Sequence, residues 1–106
     1  MQTTPLTLVT IIAEEVLEPQ LAQLLLEDGA TGFTVTSCRG EGSRGLRTGS
    51  MPGGNVRLEA IVDESSADRI VEHLAERWFT NYAVIAWLSP ARVVRGEKYV
   101  GESSRR

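Results

Sequence analysis

The chain has little of what metal and redox proteins are built on. One cysteine, Cys38, and one histidine, His73, occur in 106 residues. A lone thiol closes no internal disulfide, and the two residues form no cluster with zinc-ligand spacing. This argues against structural-metal or redox chemistry within one copy, and Cys38 reads as a small half-buried filler at a strand end. No serine lies near a candidate base in triad-like order, and no paired carboxylates suggest acid–base catalysis. No run approaches the roughly twenty apolar residues of a membrane span, and no basic flank precedes an uninterrupted apolar stretch at the start. The expectation is one soluble, cytoplasmic domain covering 1–106, with no direct membrane insertion.

Positive charge is also scarce, except in one place. The formal net charge is −3, yet residues 39–57 hold four arginines against one glutamate, a balance of +3. The remainder, with seven basic and thirteen acidic side chains, is at −6. Nucleic-acid binders show a broad basic face and a high pI, so a nucleic-acid partner is not expected; a local anionic ligand is. The same stretch is rich in glycine. Gly40, Gly42 and Gly45 let consecutive N–H groups converge on an anion, while Arg39, Ser43, Arg44 and Arg47 supply the donors phosphate oxygens accept. The competing reading is a solvated Gly/Ser-rich connection with no ligand.

Around this loop the periodicities are regular. Leu6 to Ala13 is apolar on both alternating faces, a strand covered on two sides and central in its sheet. Glu18-Pro19 opens a helix with Leu17, Leu21, Leu24 and Leu25 as its stripe, and Gly29 ends it. Phe33, Val35 and Ser37 alternate with Thr34 and Thr36 in a second strand leading into the loop. Val56, Leu58, Ala60 and Val62 define a third strand, whose Arg57 and Glu59 read as a cross-strand ion pair in preference to cleft residues. A second helix follows Asp63, with Ser65 and Asp68 at capping-box-like spacing and Ile70, Val71, Leu74 and Trp78 buried. His73 lies off that stripe and reads as a surface residue. Tyr82 to Leu88 forms a fourth strand closed by Pro90, before a short extended piece, Arg92 to Arg95. Trp78 and Trp87 read as core or interface anchors, and Tyr99 as packing at a sheet edge or on a base.

Strand, helix, strand, long loop, strand, helix, strand and a short fifth strand make an α+β, ferredoxin-like βαββαβ sandwich. Two helices cover one sheet face only. With the first and fourth strands apolar on both sides, the open face calls for further copies of the chain. The fold alone decides no function. The third strand lacks the aromatics on which RNA-recognition modules stack bases, and the Cys-x-x-Cys pair of metal chaperones is missing.

Four segments match one family: Gly29-Ala-Thr-Gly-Phe-Thr-Val35, Gly-x-Gly-Ser-Arg-x-x-Arg over 40–47, Trp78-Phe79-x-Asn81-Tyr82-Ala83, and Val93-Val94-Arg95-Gly96. In this order the chain resembles the PII signalling superfamily, and within it the SbtB-type regulators of a sodium-dependent bicarbonate transporter in cyanobacteria. The resemblance implies a homotrimer binding AMP, cyclic AMP, ADP or ATP between subunits. Residues 39–55 correspond to the T-loop, the mobile element that docks on a membrane transporter and recruits the protein to the plasma membrane. By position, Gly42, Ser43, Arg44 and Arg47 would hold phosphate, while Thr36, Arg95, Gly96 and Glu97 would line the adenine cleft.

Three departures qualify the resemblance. The glycine-rich turn that cradles outer phosphates in ordinary PII proteins is here Phe79-Thr-Asn-Tyr82, which implies weaker discrimination for a triphosphate. The tail, 97–106, lacks the paired cysteines some relatives carry. Glu41 stands where relatives tend to have lysine; it either faces away from the phosphates or shares a divalent cation, Mg2+ or Ca2+, with them. Glu41 is also the one candidate for activating water, which leaves a slow nucleotide phosphohydrolase as the alternative to a non-enzymatic regulator; a third reading is a regulator of another transporter.

Overall fold

The computed structural model describes residues 1–40 and 54–95. Its elements are β1 (Thr4–Glu14), a 3-10 turn (Glu15–Leu17), α1 (Glu18–Glu27), β2 (Thr34–Cys38), β3 (Asn55–Val62), α2 (Glu64–Arg77) and β4 (Ile85–Val93). The strands form one sheet in the order β2-β3-β1-β4, with every neighbouring pair antiparallel. This is the ferredoxin-like sandwich the alternation predicts, with β1 central.

Alternation decides which side chains enter the core. Val9, Ile11 and Ala13 of β1 and Val56, Leu58, Ala60 and Val62 of β3 are buried beneath the helices. Leu17 of the 3-10 turn and Leu21, Leu24 and Leu25 of α1 close that layer, with Ile70 and Leu74 from α2 and Trp78 packed on its margin. Each fully buried leucine or isoleucine contributes on the order of 2 kcal/mol, which outweighs the weak intrinsic preferences of the Thr-rich strands.

Helix ends follow local chemistry. Gly29 has φ +122°, and its N–H and that of Ala30 bond back to the Leu26 and Leu25 carbonyls. A Cβ at this position would lie 2.4 Å from Ser66 Oγ, so both backbone and packing require glycine. At α2 the expected Ser65–Asp68 box is replaced by a simpler cap: the Asp63 carboxylate accepts from the Ser66 N–H at 2.9 Å and from Ser65 Oγ at 3.3 Å. Asp63 has extended backbone and is the residue just outside the helix, whereas Ser65 already lies inside it.

The fourth strand also differs from expectation. Trp78 O accepts from Tyr82 N–H and Tyr82 O from Val84 N–H, so the turn persists through Tyr82 and β4 starts at Ile85. Pro90 does not close the strand: among the described residues β4 pairs with β1 alone, and an edge strand tolerates a missing donor. Arg92 and Val93, expected to open a fifth strand, finish β4, and Val94–Arg95 turn. His73 is not a free surface residue: its Nδ1 lies 2.6 Å from Asp28 Oδ2, tying α2 to the end of α1. Arg69 strengthens the same junction by donating to Asp28 O and Ser66 Oγ, each at 3.1 Å.

Candidate functional site

The loop's two ends are fixed by the β2–β3 ladder, where Cys38 stands opposite Asn55 and Thr36 opposite Arg57. Gly54, with φ +75°, turns the chain into β3, and its carbonyl accepts from Glu15 N–H at 3.0 Å, stitching the loop base to the turn before α1. Gly40 has no positive φ, and among the described residues a Cβ there would meet nothing within 4 Å. Glu41, Gly42, Ser43, Arg44, Gly45 and Arg47 lie outside the described residues, as do Gly96, Glu97 and Tyr99.

Of the expected cleft residues, Thr36 and Arg95 can be placed. Thr36 shares a row of the sheet with Arg57 and Ile12. Arg95 follows Val93, which pairs with Thr4 at the other end of β1. Eight residues of strand separate the two rows, about 27 Å at the rise of a β-strand, and three inter-strand spacings add about 14 Å across the sheet. The structure therefore does not bring Thr36 and Arg95 together within one copy. Arg95 is exposed and adopts φ +66°, the one non-glycine residue with positive φ among those described.

The sheet face away from the helices is open and mixed. Leu8, Ile12, Ile61, Ile85 and Trp87 give it an apolar part, with Ile85 58% and Trp87 40% exposed. Beside them lies a polar part, made by Thr34 and Thr36 on β2, Arg57 and Glu59 on β3, and Thr10 on β1. Arg57 and Glu59 pair along β3 and not across strands, with Nε 3.6 Å from Oε2; residues two apart on a strand share a face. Thr10 is fully buried between Glu59 and Trp87 in the register, and its hydroxyl has no hydrogen-bond partner. Composition alone gave no sign of this position, since a threonine among β-branched residues reads as ordinary strand.

The turn from α2 to β4 contains no glycine, and the amides at its two ends are taken by backbone carbonyls. Trp78 and Phe79 N–H both bond Leu74 O, while the Tyr82 and Val84 amides are taken by Trp78 O and Tyr82 O. On the helical side, a groove of about 390 Å³ runs between α1 and the end of α2, lined by Gln20, Gln23, Leu24, Glu27, Arg77, Trp78 and Tyr82; no predicted site residue lines it. Among the described residues no group of three His, Cys, Asp or Glu side chains is placed to hold a metal, and no helix is long and apolar enough to cross a membrane.

Sheet order, the position of the loop and the sequence together define a PII fold, and the chain belongs to the PII family: the family described as nitrogen regulatory protein P-II matches residues 6–98. Among solved structures, the chain is similar to a Thermus thermophilus protein described as PII-like signalling. The two are 49% identical over 94% of this chain and 100% of that one, with a TM-score of 0.82. It shares its fold with CPII of Thiomonas intermedia, solved with ADP, AMP and acetate: 20% identity, 95% and 100% coverage, TM-score 0.83. A second CPII structure, with ADP, AMP and bicarbonate, gives 22% identity, 94% and 98% coverage and a TM-score of 0.84.

Proposed function

We propose that the protein is a homotrimeric adenine-nucleotide sensor of the SbtB type, without chemistry of its own, that regulates a membrane bicarbonate transporter through the loop at 39–55. The observation that carries this reading is the separation of Thr36 and the loop base from Arg95 by the length of the sheet. Each copy then offers half a cleft at either end, and a neighbouring copy supplies the other half. The apolar part of the open face favours such packing. Thr36, Gly42, Ser43, Arg44 and Arg47 come from one copy, and Arg95, Gly96 and Glu97 from the next.

Adenine nucleotides as the ligand class rest on family membership, on the basic loop in an otherwise acidic chain, and on the ADP and AMP bound by the Thiomonas relative. The glycine-free α2–β4 turn, with the Phe79 and Tyr82 amides taken by backbone carbonyls, favours ligands with few phosphates, AMP and cyclic AMP among them, over ATP. Where ATP binds, Mg2+ or Ca2+ would sit between its phosphates and Glu41. Phosphate drawn onto Arg44 and Arg47 repositions the loop, which presents or withdraws a surface to the transporter.

Calorimetric titration with AMP, cyclic AMP, ADP and ATP, run beside light scattering, tests the reading. Saturable binding of at least one nucleotide to a trimer is expected; a monomer, or a trimer indifferent to all four, would sink it. Pull-down of a bicarbonate transporter from membranes, with and without each nucleotide, tests the partner. Incubation with ATP and Mg2+ should yield no AMP above background.

A further inference from the structure

The polar part of the open face holds two imperfect contacts side by side. The Arg57–Glu59 pair is 3.6 Å apart, beyond hydrogen-bond range, and both side chains are partly exposed at 44% and 32%. Such pairs are screened and hold little energy. Directly opposite Glu59, the Thr10 hydroxyl is buried without a partner. Buried hydroxyls are nearly always hydrogen-bonded, because leaving one unmet forfeits its hydration.

We propose that Arg57 is an oxyanion-binding residue of the nucleotide cleft, held in reserve by Glu59, and that Thr10 receives the Glu59 carboxylate when the anion arrives. This rests on the nucleotide reading above. Side chains directly opposite on antiparallel strands have Cβ atoms about 5 Å apart, a gap the length of a glutamate spans. Turning from Arg57 to Thr10, the carboxylate exchanges a long screened contact for a charge-assisted bond donated by a buried hydroxyl. The freed guanidinium stands opposite the Thr36 hydroxyl, and the two form a fork and a single donor suited to an oxyanion. That anion is either the phosphate of the nucleotide or a separate carboxylate or bicarbonate.

The experiment is calorimetry on the full chain with AMP, adenosine, bicarbonate and inorganic phosphate, for wild type, Arg57→Ala, Thr10→Val and Thr10→Ser, with melting curves to verify folding. If the phosphate is the anion, Arg57→Ala weakens AMP about tenfold and leaves adenosine unchanged. If the anion is separate, Arg57→Ala removes the binding of bicarbonate or inorganic phosphate to the AMP complex. In either case Thr10→Val, which touches no ligand, reproduces about a threefold part of the loss, and Thr10→Ser restores it. Wild type that binds AMP, with Arg57→Ala and Thr10→Val unaltered both for AMP and for bicarbonate or inorganic phosphate on the AMP complex, would overturn this proposal alone. Wild type that binds no AMP would overturn the nucleotide reading and this proposal with it.

Discussion

At the scale of single residues, the strongest constraints come from positions where one atom decides. Gly29 is one: a methyl group there meets Ser66 Oγ at 2.4 Å in a backbone conformation L residues avoid. Gly29→Ala should destabilise the fold by roughly 1–3 kcal/mol, read as a lower urea midpoint with unchanged slope. The phosphate reading concerns Arg44 and Arg47. Replacing either by alanine should weaken AMP, ADP and ATP by about tenfold or more while adenosine binding holds, since one charge-assisted contact is removed. Equal losses for adenosine in a titration would mean these arginines act through folding. His73 marks where residue-level reading failed. Helical periodicity placed it off the buried stripe correctly, but nothing local reveals that Asp28, 45 positions earlier, comes within 2.6 Å of it.

Elements were legible where one period dominates. β1, α1 and β3 follow from apolar spacing alone, because burial on one or two faces writes itself into every second or every third and fourth residue. Boundaries were less legible. Pro90 reads as a stop only if the strand is assumed interior, and sheet order is a long-range property. The start of α2 turned on which of several adjacent polar residues caps it. Asp63→Ala removes the carboxylate that holds Ser66 N–H and should cost about 1 kcal/mol in a thermal melt, while Asp68→Ala should change little. Of the candidate site, the loop was legible as a basic, glycine-rich run, and Thr36 and Arg95 were reached through the family resemblance. What was not legible is how far apart Thr36 and Arg95 stand within one copy, which emerges only once strand register is known.

For the whole molecule, that distance has a direct experimental form. If each cleft takes its loop from one copy and Arg95 from the next, two defective variants can complement. Arg44→Ala and Arg95→Ala chains, each expected to bind AMP poorly, should after unfolding and refolding together regain about a quarter of the wild-type clefts. Titration stoichiometry reads this out; no recovery would place both residues in the same half-site. Finally, the bond from Glu15 N–H to Gly54 O joins the loop's exit to the first turn ahead of α1. Whatever tugs on that exit must also be felt by one amide on the helical layer, some distance from any ligand. Deuterium uptake at Glu15 should therefore change on nucleotide addition, making a single backbone proton a remote gauge of what the loop is doing.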